Sequence, residues 1–160
     1  MKYFRKALLS GFWLIGLAGL VLGEVNSAKV QPLSPQAGKA SVYEVRFQLT
    51  EAFPKTGSVT LEFPKDFDLS QLILAGSPNV KGGFKVFVKG QKVRLQRSGL
   101  GEVVPPKTEM IIRLANVKNP KTPGPFSVSL RAFSNKRILG EVNGVSFSIL
   151  PRKRRERSVP

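Results

Sequence analysis

Residues 116–134, NVKNPKTPGPFSVSLRAFS, open on a turn dense in Pro and Gly and continue as strict alternation. Phe126, Val128 and Leu130 fall on one side, and Ser127, Ser129 and Arg131 on the other. A period of two is what a strand shows when one face is buried and the other is wet. The same grammar recurs along the chain. Tyr43, Val45, Phe47 and Leu49 alternate with Glu44, Arg46 and Gln48 within residues 41–50. Pro54, Lys55, Thr56 and Gly57 make a turn. Val59, Leu61 and Phe63 then form an inner face, with Thr60 and Glu62 outward, until Pro64 ends the strand. Residues 84–88 and 93–96 predict a hairpin, and its Lys89-Gly90-Gln91-Lys92 joint, with Gly first, fits a type II′ turn. Residues 110–114 predict a strand with Ile112 and Leu114 inward. Val145, Phe147 and Ile149 predict the last strand, stopped by Pro151.

The remaining stretches are less regular. Val30 opens a short edge strand within residues 29–40. Residues 65–83 leave a helical turn and a strand both open around Leu69, Leu72, Leu74 and Ala75. Residues 98–106 read as a loop, and residues 135–144 as a loop with some pairing near Ile138 and Leu139. Seven to nine short strands without a long amphipathic helix predict an all-β fold, a single antiparallel β-sandwich, with a small barrel as the related alternative. Its two inner faces would be built from Phe, Val, Leu and Ile.

The N-terminus follows a different rule. Lys2, Arg5 and Lys6 precede an uninterrupted apolar run over residues 7–23, and small residues (Gly23, Ser27, Ala28) follow at cleavage-compatible places. This is the pattern of a secretory signal peptide. If retained, the run would act as an N-terminal membrane anchor, although 17 residues is short against the ~20 of a spanning helix. The piece SGFWLIG also has the Gly-Phe step of a type IV prepilin leader, but the Glu expected five residues after that Gly is replaced by Gly16. The organisation expected is therefore a leader over 1–28, a sandwich over 29–150 and a basic, disordered tail over 151–160. The protein is expected to be exported, to the periplasm, the cell surface or the medium.

Composition narrows the chemistry. The chain of 160 residues has no Cys and no His, which excludes disulfides, thiol catalysis, His-based triads and the common zinc sites. The one Trp lies in the leader, and the ten acidic residues are scattered. Asp66 and Asp68 form a D-x-D pair in a loop, too few oxygens for Ca²⁺, which takes six to eight. No catalytic constellation is visible, and neither an enzyme nor a cofactor is expected.

The formal net charge is +16, of which three positive charges belong to the leader and a net four to the tail, leaving about nine on the sandwich. A charge of this size attracts polyanions over long range when it is more than a solvated surface. The candidate polyanion-binding residues are Lys85, Lys89, Lys92, Arg94 and Arg113 on strands, and Arg152, Lys153, Arg154, Arg155 and Arg157 in the tail. Phe87 is out of phase with Phe84, Val86 and Val88 and so is expected on the surface. One aromatic is little for nucleic acid, whose single-stranded form needs stacking platforms beside its cations. Pro-Lys-Thr recurs at 54–56, 106–108 and 120–122, each time before a strand. The repeat is either turn chemistry alone or a Lys-bearing rim.

Several turn and strand motifs add up to a resemblance. Ser34-Pro35 and Ala37-Gly38 lead into Tyr43, Val45, Phe47 and Leu49-Thr50. Gly57, Val59, Leu61 and Phe63-Pro64 follow, with Phe67. Later come Asn116, Asn119-Pro120 and Pro123-Gly124-Pro125-Phe126 with Val128 and Leu130. Over residues 34–133 this resembles the immunoglobulin-like sandwich modules of prokaryotic cell-surface and S-layer-type proteins. The resemblance implies a structural or adhesive role without catalytic residues. This chain departs from it in holding a single module and in being strongly basic. The expected function is a non-enzymatic binding or structural role at the cell envelope, with another envelope protein or an anionic surface component as partner. The alternative is polyanion binding through the basic face and tail. Membrane contact through residues 7–23 is expected only if the leader is retained.

Overall fold

The computed structural model describes residues 24–152. The leader through residue 23 and the tail from Lys153 onward, including Arg154, Arg155 and Arg157, lie outside the described residues. Nine strands run in chain order: β1 (Val25–Pro32), β2 (Ala40–Leu49), β3 (Ser58–Glu62), β4 (Ala75–Gly76), β5 (Phe84–Lys89), β6 (Lys92–Arg97), β7 (Met110–Lys118), β8 (Gly124–Ser134) and β9 (Arg137–Ile149). They form two antiparallel sheets, a four-stranded one in the order β1-β2-β7-β4 and a five-stranded one in the order β5-β6-β3-β8-β9. The protein is an all-β antiparallel sandwich.

The alternation in the sequence becomes the core. Tyr43, Val45, Phe47 and Leu49 of β2 and Met110, Ile112 and Leu114 of β7 face Val59 and Leu61 of β3, Val93 and Leu95 of β6, and Val128, Leu130 and Ala132 of β8. The connections add Phe63, Phe67, Leu69 and Leu72. Tyr43 packs edge-on against Phe63, Phe67 and Phe147, with ring centroids 5.7–6.0 Å apart. Burial pushes the Tyr43 phenol well above its ordinary pKa.

The residues that carry the resemblance meet at one end of the sandwich. The Tyr43 hydroxyl donates to Asn119 Oδ1 at 2.5 Å, and Asn119 Nδ2 donates to the carbonyls of Ser34 (2.8 Å) and Gln36 (2.9 Å). The Asn119 amide donates to Lys39 O, and the Gly38 amide to Pro120 O. One buried amide side chain thus holds the β1–β2 turn to the β7–β8 turn.

Several boundaries differ from the sequence reading. β1 begins at Val25, inside the segment assigned to the leader. Val25 is buried and pairs with Leu49. The irregular stretch resolves into turns and the two-residue strand β4, which pairs with β7. The pairing expected near Ile138 and Leu139 extends through the rest of residues 135–144, where a loop is expected: β8 and β9 form a long hairpin through a tight turn at Asn135-Lys136. Gly140 sits where β9 crosses the start of the fold. A Cβ there would lie 3.0 Å from Leu49 and Val25 side-chain atoms and 3.2 Å from the Glu24 backbone, so these neighbours would have to give by a few tenths of an ångström. The β5–β6 turn agrees with expectation, since Gly90 takes φ 57° and Gln91 does not share the left-handed region.

β9 also closes the sandwich on β1. Glu24 bridges to Glu141 and Gln36 to Leu150, both in parallel sense. β5 is left as the free edge of the five-stranded sheet.

Candidate anion-binding face

The outward side of the five-stranded sheet can be assembled from its register. Phe87 of β5 lies opposite Arg94 of β6, which lies opposite Thr60 of β3; Thr60 lies opposite Arg131 of β8, and Arg131 opposite Glu141 of β9. The row toward the Asn135-Lys136 turn runs Lys85, Gln96, Ser58, Phe133. The row on the other side runs Lys89, Lys92, Glu62, Ser129. Alternation puts these side chains outward because their neighbours Val59, Leu61, Val93, Leu95, Leu130 and Ala132 are taken by the core.

Four of the predicted residues, Lys85, Lys89, Lys92 and Arg94, are therefore brought together, and Phe87 stands among them, exposed as expected. Arg131 and Lys136 join them. Alternation had marked Arg131 as outward, but only the β3–β8 register shows that it shares a face with Arg94. Two carboxylates interrupt the set. Glu62 lies 3.5 Å from Lys92, an exposed pair worth little. Glu141 receives Arg131 at 2.8 Å, and that hydrogen bond holds its carboxyl below the usual range. Arg94 donates to the neutral Gln96 at 2.7 Å. Among the described residues Lys85, Lys89, Arg94 and Lys136 make no ion pair. A groove of about 580 Å³ opens on this face, lined by Ser58, Thr60, Arg94, Phe133, Asn135 and Lys136.

The other predicted cations are placed elsewhere. Arg113 lies on the outer side of the opposite sheet and is engaged: its Nε donates to Glu44 Oε2 at 2.9 Å. Arg46 reaches the other oxygen, Nη2 to Oε1 at 2.7 Å, and extends to Glu109 at 3.6 Å. Glu44 is only 3% exposed, covered by these two guanidinium groups, and hydrogen bonds from Arg46 and then Arg113 hold its carboxyl below its ordinary value. The sequence reading of Arg113 as part of one basic surface is corrected. Arg113 serves a charge network, because β2 and β7 set Glu44 directly opposite it. Arg152 is exposed just beyond β9, at the end of the β8–β9 hairpin away from the groove.

The Pro-Lys-Thr repeats do not form a common rim. The Lys107 amide donates to Leu49 O where β2 ends, whereas Pro120 O accepts from Gly38 just before β2 begins. A strand of ten residues separates them by about 30 Å. Of the D-x-D pair, Asp68 accepts from the Ser70 hydroxyl (2.7 Å) and amide (3.0 Å), which lowers its pKa, and its backbone bridges to Lys118.

One functional-looking residue escaped the sequence reading altogether. Arg97 is 3% exposed and points inward at the end of β6. Its Nη1 donates to the carbonyls of Phe53 (3.2 Å) and Pro54 (2.9 Å), and its Nη2 to those of Lys81 (3.1 Å) and Glu102 (2.7 Å). Its guanidinium lies 5.5 Å from the centre of the Phe53 ring. Among the described residues no carboxylate meets it, and burial lowers its pKa. With every terminal donor on backbone carbonyls, it ties loops together and offers nothing to a ligand.

No protein-family model matches this sequence, and no curated protein matches it significantly. Solved structures do share its architecture. A cohesin module from a Clostridium perfringens family 33 glycoside hydrolase is similar over 81% of this chain and 96% of its own, at 15% identity and a TM-score of 0.53. An uncharacterized Nocardia farcinica protein described as having an immunoglobulin-like fold aligns over 83% of this chain and 90% of its own, at 12% identity and a TM-score of 0.40. The N-terminal domain of the Streptococcus gordonii adhesin Sgo0707 aligns over 81% of this chain and 32% of that one, at 16% identity and a TM-score of 0.48. The fold is a two-sheet antiparallel β-sandwich of the kind seen in the cohesin module.

Proposed function

We propose that this protein is an exported, non-enzymatic β-sandwich that binds an anionic component of the cell envelope through the outer side of its five-stranded sheet. The observation that carries this reading is the collection of Lys85, Lys89, Arg94 and Lys136 on one face without carboxylate partners among the described residues. Unpaired cations on a shared surface keep their charge available, whereas Arg46 and Arg113 on the opposite sheet spend theirs on Glu44. The leader pattern supports export. The basic tail extends the attraction, each Lys or Arg near an anionic surface contributing about 1 kcal/mol.

The test is retention of the purified protein on a sulfated matrix as salt is raised. Binding that releases counterions weakens steeply with salt. Replacing Lys85, Lys89, Arg94 and Lys136 with Gln should move elution to markedly lower salt, while Arg113→Gln should leave it nearly unchanged. Deleting residues 152–160 measures the tail's share. Weak, salt-insensitive retention, or equal effects of the two sets of variants, would sink the reading.

The free edge favours a second reading, in which a partner protein adds a strand to β5. Phe87 and Val88 are exposed there. Val86→Pro removes an edge amide not used by the hairpin, and should block that partner while sparing anion binding.

A further inference from the structure

We propose that the groove between Arg94 and the Asn135-Lys136 turn is a subsite for an acidic sugar, a pyranose bearing a carboxylate or sulfate within a glycan chain. This rests on the anionic-envelope reading above and specifies its ligand.

The groove has the size of a small-ligand site, which runs from about 300 to 1,000 Å³. Its lining divides into the three kinds of group that a charged sugar presents surfaces to. Ser58 and Thr60 line its β3 side with short hydroxyls, and Asn135 adds an amide. Among the described residues, none of these three side chains, nor the Lys136 ammonium, has a protein hydrogen-bond partner; Asn135 and Lys136 are exposed and free to turn toward a ligand, Thr60 is half-buried, and Ser58 lies deeper. They are matched by a ligand that carries hydroxyls. Phe133 supplies an apolar ring, half-buried beside Ser58, against which the C–H face of a pyranose can lie. Arg94 and Lys136 supply the charge. A guanidinium binds a carboxylate or sulfate through two parallel hydrogen bonds, which orients as well as attracts.

The register extends the site. Arg94 lies two strands from Phe133, about 10 Å laterally, and Phe87 flanks Arg94 on the far side. Two aromatic rings therefore bracket one guanidinium across the sheet, and a glycan crossing the strands would meet ring, cation and ring in turn. Single-stranded nucleic acid asks for something else: cations tracking successive phosphates and fully open rings for stacking. Here the groove's own cations are two, with hydroxyls between them.

Isothermal titration of the purified protein with tri-galacturonate, its methyl-esterified neutral form, inorganic polyphosphate and oligothymidylate tests the proposal. The acid trimer should bind about tenfold or more tightly than the neutral one. Phe133→Ala should weaken the acid trimer about tenfold, equivalent to about 1.4 kcal/mol, and leave polyphosphate affinity unchanged. Phe133→Leu keeps a bulky apolar side chain while removing the ring and should show the same split, which covers a failure of the Ala variant to fold. Equal losses for both probes would overturn the subsite. So would oligothymidylate binding more tightly than the trimer with the same dependence on Phe133. Polyphosphate bound and the trimer ignored would refute the sugar site alone. Neither bound would remove the anionic reading with it.

Discussion

Arg97 offers a perturbation whose size can be worked out. Four carbonyls accept from its guanidinium. Two have a second donor: Phe53 O also accepts from the Val104 amide at 3.0 Å, and Pro54 O from the Gly57 amide at 2.9 Å. Lys81 O and Glu102 O have no other donor among the described residues. Arg97→Met keeps most of the apolar stem and removes every donor. Leaving two acceptors unsatisfied costs about 1–3 kcal/mol each. Against this, the cation no longer has to be desolvated, and its Nε, buried without a partner, disappears. The expected net loss is about 2–4 kcal/mol, a large share of the 5–15 kcal/mol typical of a domain. For a domain of this length that corresponds to a fall in Tm of about 10 °C. Arg97→Lys should fall between, because one ammonium cannot reach two pairs of carbonyls. Thermal unfolding followed by circular dichroism, with a denaturant series to check that m is unchanged, reads the effect. A Met variant as stable as the parent would refute the reasoning, because it would mean that desolvating the guanidinium cancels all four of its hydrogen bonds.

Three further predictions follow from the geometry. Glu44 has a folded pKa below its unfolded one, so its contribution is complete above the unfolded value near 4.5 and is lost as pH falls through the folded value. Glu44→Gln should therefore be less stable than the parent at neutral pH, with the gap narrowing in titrations below about pH 4.5; a constant gap would contradict the charge network. Asn119→Ala should cost about 2–4 kcal/mol in urea unfolding, and Tyr43→Phe only about 1, because the first strips three side-chain hydrogen bonds and the second one. Processing of the leader should leave Glu24 as the first residue, since cleavage after Ser27 or Ala28 would remove the buried Val25 and its pairing with Leu49. Intact mass and N-terminal sequencing of the envelope fraction decide this, and a start at Ala28 or Lys29 would refute it.

The inward faces were legible in the sequence because alternation is a local property: Tyr43 through Leu49 and Phe126 through Leu130 bury as their spacing implies. Register is not local. Nothing in the sequence around Arg113 says that Glu44 stands across from it, and nothing around Arg94 says that Arg131 lies two strands away. Lys85, Lys89, Lys92 and Arg94 therefore share a face with Arg131 and Lys136, which the sequence does not group with them, while Arg113 and Arg152 stand apart. Arg97 was invisible for a related reason. It falls on the inward phase of Val93 and Leu95, where an arginine reads as the end of a strand, and its partners are carbonyls from loops far along the chain. Residues 135–144 read as a loop because nothing local shows that β9 continues through them, packed at Gly140 against Leu49 and Val25.

The closure of β9 against β1 has a consequence for the order of folding. β1 can pair with β2 early, but the seam that closes the sandwich waits for the end of the chain, since Glu24 meets Glu141 and Ala37 donates to Leu150 O. Such non-local topology is slow to fold, because the entropy of closing the whole chain must be met before these contacts form. A nascent chain released residue by residue would lack half of its terminal seam until synthesis was nearly complete. On the proposed export route, which would carry the chain across a membrane as an extended thread, that delay would keep the seam open until threading was complete.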